Sequence, residues 1–233
     1  MDMESIIQMD KSLLLWFNGS DSLFADYMAM TLTKAATWIP LYVSLLYVVI
    51  KNNDTMRRIL YVIAGAAMCV VLAGTVDDTI VKPLVARLRP THDYEIGTMV
   101  DIVEGYRGGY FGFFSAHAAN TFSIAVFFSL LIRSYVLTPA LILWSLTNCW
   151  TRLYLGVHYP LDILCGLIWG GIVGTGVYFL LRYFCGKTTG VKPHYVSSHY
   201  TPTGYLRIDM NIVMTVLSCT LFYCIIKACI MAG

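Results

Sequence analysis

Residues 163–181 read Ile-Leu-Cys-Gly-Leu-Ile-Trp-Gly-Gly-Ile-Val-Gly-Thr-Gly-Val-Tyr-Phe-Leu-Leu, without a single charge. A helix crossing about 30 Å of hydrocarbon needs roughly 20 mostly apolar residues, and this stretch supplies them. Working outward, five more stretches approach the same length. We read spanning helices over residues 27–50, 59–82, 114–132, 134–155, 161–182 and 209–227. The first contains Lys34, whose stem can snorkel toward the interface. The second runs on through Asp77 and Asp78 to Lys82. Residues 5–17 are apolar but interrupted by Asp10 and Lys11, too short and too charged to span, and read as an interfacial amphipathic helix. The fold class expected is all-α: one membrane domain, 1–233, an integral helical bundle of about six spans with an outer-face loop over 83–113.

Composition agrees with that reading. The chain of 233 residues is 58% hydrophobic and 13% charged, against about 25% charged residues in a soluble domain. That excludes a water-soluble globule, a disordered chain and a secreted disulfide scaffold. A net charge of +2 is too small for a polyanionic polymer partner, so no nucleic acid is expected. The seven cysteines form no C-x-x-C pair and read as small buried hydrophobes. The first twenty residues lack the pattern of a signal peptide.

If the middle four helices simply alternate, the loops following residue 82 and residue 155 share one membrane face, the site face. The opposite face holds Lys51, Arg57, Arg58, Arg133, Arg182, Lys187, Lys192 and Arg207; the site face holds Lys11, Lys82, Arg87, Arg89, Arg107, Arg152 and Lys227. Eight stand against seven, and eight against four once Lys82, Arg89 and Arg152 are set aside as functional. The positive-inside rule then places the site face and both termini outside.

Three clusters meet on that face: Lys82-Pro-Leu-Val-Ala-Arg-Leu-Arg89-Pro90; Phe114-Ser115-Ala116-His117; and Thr151-Arg152 followed by His158 and Asp162. Ionisable residues at membrane depth are expensive and read as functional. Their types suit phosphoryl transfer, where catalysis is mostly positioning and charge stabilisation. Arg89 and Arg152 can each grip two oxygens, and Lys82 adds a point charge. Ser115 stands at a helix N-cap, where backbone N–H groups favour an anion. Asp162, four residues after His158, can hold one ring nitrogen while the other attacks phosphorus. His117 remains as the acid for the leaving oxygen.

These clusters resemble the tripartite signature of the type 2 phosphatidic acid phosphatase (PAP2) superfamily, K-x6-R-P, P-S-G-H and S-R-x5-H-x3-D. The first matches in full. The second has Phe114 for Pro and Ala116 for Gly, and the third has Thr151 for Ser. The resemblance, to the bacterial membrane lipid phosphatase branch, implies a PAP2-type core, a phosphohistidine on His158, orientation by Asp162 and protonation by His117. It implies phosphate binding by Lys82, Arg89, Arg152 and Ser115, and neither metal nor other cofactor.

The function expected is a lipid phosphate phosphatase of the bacterial inner membrane, its active site facing the periplasm and its partners a lipid phosphate and the bilayer. Lipid A phosphate is the first substrate choice. Undecaprenyl diphosphate, phosphatidylglycerol phosphate and phosphotransfer to a second lipid are alternatives, as is a non-enzymatic lipid-binding or transport protein. Zinc held by His117, His158 and Asp162 is opposed by three neighbouring cations. Arg87 and Arg107 read as solvated or headgroup-facing, and His92, His194 and His199 as surface residues. Asp78 reads as a helical partner for Lys82 or a plain interface pair. The aromatics of the 83–113 loop read as an interfacial belt, or else a lid. Oligomeric state has no signature here.

Overall fold

A computed structural model describes residues 2–186 and 198–233; Lys187, Lys192 and His194 lie outside them. The described residues are helical, with only two isolated bridges, Leu88 to Phe111 and Tyr200 to Leu206, in place of strands. The helices, in our numbering, are α1 (Met3–Phe17), α2 (Leu23–Leu32), α3 (Ile39–Lys51), α4 (Met56–Val85), α5 (Ala116–Ile132), α6 (Leu137–Tyr154), α7 (Pro160–Gly186) and α8 (Arg207–Ala232).

Three of these, α4, α7 and α8, are long and apolar enough to cross a membrane, and the bent pair α2–α3 makes a fourth if taken as one span. The single helix expected over 27–50 is therefore corrected: α2 and α3 are inclined at 69°. α2 ends at Thr33, Lys34 is extended, and a 3₁₀ turn over Ala35–Trp38 leads into α3. Pro40, in the first turn of α3, lacks the N–H that would continue the ladder backwards. Side chains satisfy the freed carbonyls: Thr37 Oγ1 donates to Thr31 O at 2.7 Å and Trp38 Nε1 to Leu32 O at 2.8 Å.

α4 is interrupted differently. Two π-type turns, Val71–Thr75 and Asp77–Val81, widen it shortly before Lys82. In such a turn residues five apart come together, so Asp77 as well as Asp78 reaches Lys82. α5 lies at the centre, buried on most of its circumference, with Phe127 and Ile132 wholly inaccessible. On α8, Cys219 and Cys229 are exposed rather than buried.

Bundle packing depends on a stripe of small residues. A Cβ at Gly166, Gly170 or Gly174 of α7 would come within 2.7, 2.5 and 2.5 Å of the carbonyl oxygens of Ser115, Ala119 and Ser123 on α5. Small residues four apart let two apolar helices approach backbone to backbone. The first turn of α5 is thereby held against the first turn of α7, and Ser115 N donates to Asp162 O at 3.1 Å.

Gly170→Ala should therefore force the two helices apart and destabilise the protein by about 1–3 kcal/mol, the usual range for overpacking. Gly176→Ala, whose added methyl meets nothing within 4 Å, should leave thermal unfolding in detergent unchanged. Equal unfolding temperatures for both variants would contradict the close-approach argument.

Candidate active site

Helix ends supply the site. Lys82 is in the last turn of α4, His117 in the first turn of α5, Arg152 in the last turn of α6 and Asp162 in the first turn of α7; Arg89 and His158 stand on the connections. The structure brings these six and Ser115 to one end of the bundle. Arg89 Nη1 donates to Val157 O at 3.5 Å and its Nε to Phe111 O at 3.0 Å. Arg89, Arg152 and Lys82 all act electrostatically on His158, and the two imidazoles on each other.

Each cation is held in its own way. Arg152 is 2% exposed; its Nη1 donates to Thr33 Oγ1 at 2.6 Å and to the Tyr106 hydroxyl at 3.0 Å. Its Nε has no hydrogen-bond partner. Lys82 Nζ pairs with Asp77 Oδ2 at 2.8 Å and Asp78 Oδ1 at 2.5 Å. Asp77 is fully buried and accepts from Phe114 N at 3.1 Å, which ties the lysine helix to the turn before α5. Ser115 is the N-cap of α5, its Oγ accepting from Ala118 N at 3.4 Å.

The His158–Asp162 pair is looser than the spacing suggests. His158 Nδ1 stands 3.7 Å from Asp162 Oδ2, beyond hydrogen-bond length, and has no hydrogen-bond partner among the described residues. The shorter contacts of Asp162 are Tyr159 N at 2.9 Å and Arg87 Nη1 at 2.7 Å. Arg87 is therefore not the solvated headgroup-facing residue expected. It is an ion-pair partner inside the site, and its other nitrogen, Nη2, reaches Asp10 Oδ2 at 2.6 Å. Arg107 is exposed.

Burial, then the positive fields of Arg89, Arg152 and Lys82, push His158 well below the usual imidazole range; the Gly112 backbone carbonyl at the ring opposes them. Taking up a proton is disfavoured for a ring 1% exposed among cations, which leaves it a lone pair able to act as a nucleophile. Burial and the neighbouring Arg152 likewise lower Arg89. Among the described residues, no three His, Cys, Asp or Glu side chains converge as a metal-binding set.

Five residues at or beside the site were not assigned to it by sequence reasoning: Thr33, Asp77, Tyr106, Arg87 and Asp10. Asp77 carried a usable signal, a second carboxylate beside Asp78 near the lysine. Thr33 and Tyr106 carried none, because their bonds to Arg152 close over long stretches of chain.

A model of the PAP2 superfamily matches residues 55–184, a range that includes all seven site residues. A protein of Bacteroides thetaiotaomicron named lipid A 4'-phosphatase is 42% identical over 191 residues, covering 82% of this chain and 84% of that one. One of the same name from Porphyromonas gingivalis is 30% identical over 201 residues, covering 85% and 84%. The crystal structure of a transmembrane PAP2 type phosphatidylglycerolphosphate phosphatase from Bacillus subtilis is similar with a TM-score of 0.38 at 19% identity. It covers 81% of this chain and 98% of that one.

The electrostatics of His158 are directly measurable. In protein carrying ¹⁵N-labelled histidine, the resonance lost in His158→Gln should remain that of a neutral ring at pH 6, where an ordinary imidazole with pKa about 6.5 is mostly protonated. The unfolded chain takes up that proton while the folded one does not. This residue therefore makes folding stability fall as pH drops below about 6.5. A His158 resonance already protonated at pH 6 would contradict the argument.

Proposed function

The chain belongs to the PAP2 superfamily and is a membrane lipid phosphatase, and we propose that its substrate is lipid A, from which it removes the 4'-phosphate. Two relatives carrying that activity in their names match more than four-fifths of the chain. The observation that carries the chemistry is a buried imidazole, His158, in the fields of two guanidinium groups and beside a second imidazole at one end of the bundle.

In this reading a ring nitrogen of His158 attacks phosphorus and the bond to the 4'-oxygen breaks. His117 gives its proton to that departing oxygen, leaving phosphohistidine and a dephosphorylated lipid. Water, deprotonated by His117, then cleaves the P–N bond and releases inorganic phosphate. Arg89 and Arg152 face the charge that spreads over the equatorial oxygens during transfer. Lys82 supplies a third cation, and the first turn of α5 behind Ser115 presents backbone N–H groups to the same anion. Asp162 orients His158, the 3.7 Å separation closing as the ring gains positive charge.

The site end is assigned to the periplasmic side of the inner membrane, on the Lys and Arg excess at the opposite end. On that side the sugar phosphate lies at the membrane surface while the acyl chains stay in the outer leaflet.

Purified protein given bis-phosphorylated lipid A in detergent should release one equivalent of inorganic phosphate, with the lipid losing the 4'-phosphate by mass spectrometry. His158→Ala and His117→Ala should each lower the rate by at least about 10²-fold while remaining folded, and chelator should have no effect. Release of phosphate from undecaprenyl diphosphate or phosphatidylglycerol phosphate, but not from lipid A, would overturn the substrate assignment. A phosphorylated second lipid in place of free phosphate would indicate transfer rather than hydrolysis.

A further inference from the structure

The helix α1 reaches into the site with a residue that the proposed chemistry does not use. Asp10 is 2% exposed although it lies on a short peripheral helix. Its Oδ1 accepts from Leu161 N at 2.9 Å, and its Oδ2 pairs with Arg87 Nη2 at 2.6 Å. Arg87 presents its other nitrogen, Nη1, to Asp162 Oδ1 at 2.7 Å, and its guanidinium lies 4.1 Å from the centre of the Tyr159 ring. That ring is fixed in turn, its hydroxyl donating to Asp93 Oδ2 at 2.8 Å. Asp93 and Glu95 pair with Lys11, the residue next to Asp10.

We propose that Arg87 and Asp10 are positioning residues for the His158–Asp162 pair. They form a carboxylate–guanidinium–carboxylate bridge from α1 to α7 that fixes the Asp162 carboxylate and sets how much of its negative charge His158 feels. The bridge rests on the reading of His158 as nucleophile and Asp162 as its orienting group.

The reasoning is electrostatic and geometric together. Asp162 uses Oδ1 for Arg87 and Oδ2 for Tyr159 N, so its plane is determined from outside the pair and Oδ2 is left facing His158. A guanidinium shared between two carboxylates is only half committed to each. The strength of its hold on Asp162 therefore depends on Asp10. The groups set against His158 are Asp162 from α7, its Oδ2 3.7 Å from Nδ1, then Arg152 from α6, Arg89 from the 86–115 connection and Lys82 from α4, with His117 from α5. Of these, Asp162 alone is negative, so its effective charge decides how readily the ring accepts a proton.

Opposite charge changes along the bridge should therefore move the pH profile in opposite directions. Arg87→Gln leaves Asp162 less neutralised, so His158 binds a proton more readily and the acid limb of kcat/KM moves to higher pH. Asp10→Asn keeps the acceptor for Leu161 N but frees Arg87 entirely for Asp162, so the acid limb moves to lower pH. Both variants should lose kcat by about tenfold or more, as misplacement of a reacting group does, with KM within about twofold. Arg87→Lys should recover the position of the acid limb but not the full kcat, because an ammonium cannot span both carboxylates.

A purely structural role would lower the folded fraction without moving the limb, and limbs coincident with that of the parent protein would overturn the proposal. His158→Ala, assayed beside them, separates the two readings. If it is inactive while Arg87→Gln and Asp10→Asn behave as the parent, the bridge is refuted and the nucleophile stands. If it retains activity, the nucleophile assignment fails and the bridge loses its object.

Discussion

Holding four cationic side chains at the end of a membrane bundle is the constraint to which the rest of this structure answers. A buried charge is tolerated only with acceptors around it, and each of Lys82, Arg87, Arg89 and Arg152 has them. What distinguishes this bundle is where the acceptors come from. Arg152 is met by Thr33, exposed as a partner by the break between α2 and α3. Lys82 is met by Asp77, turned inward by the π-type turn of α4. Arg89 is met by backbone carbonyls of irregular chain, Phe111 and Val157. Arg87 is met by Asp10 of a helix too short and too charged to span. Each departure from a straight spanning helix coincides with a partner for a cation.

Much of this was legible in the sequence, for a reason that also sets its limit. Apolar run length located the helical segments, and fixed spacings located Lys82, Arg89, Arg152, His158 and Asp162 at their ends. Those are local signals, carried within a few residues of the chain. The acceptors are not local: Thr33 meets Arg152 across 119 residues and Asp10 meets Arg87 across 77. No periodicity or motif encodes such a pairing, which arises only when helices pack. The break after Thr33 escaped for a related reason. Composition over residues 27–50 is continuous, and hydropathy does not register that Pro40 and the Trp38 and Thr37 hydrogen bonds favour a turn.

The charges of α1 show how one observation can support two readings. Asp10 and Lys11 exclude a membrane span, and that inference is sound on length and charge alone. Their side chains nevertheless do not simply face water. Asp10 is buried against Arg87 and Leu161, and Lys11 pairs with Asp93 and Glu95. Ionisable residues that make a helix a poor span are the same ones that dock it onto the end of the bundle where the candidate site lies. Polarity in a short peripheral helix thus says what the helix cannot cross, and leaves open what it touches.

The partners also divide the cations by availability. Lys82 and Arg87 are each committed to two carboxylates, so their positive charge is largely cancelled where they stand. Among the described residues, the hydrogen-bond acceptors of Arg89 and Arg152 are neutral: carbonyls for the first, a hydroxyl of threonine and one of tyrosine for the second. Both guanidinium groups bear on His158, as Lys82 does. Asp77 also accepts from Phe114 N, which ties Lys82, through its partner, to the turn from which α5 and His117 begin.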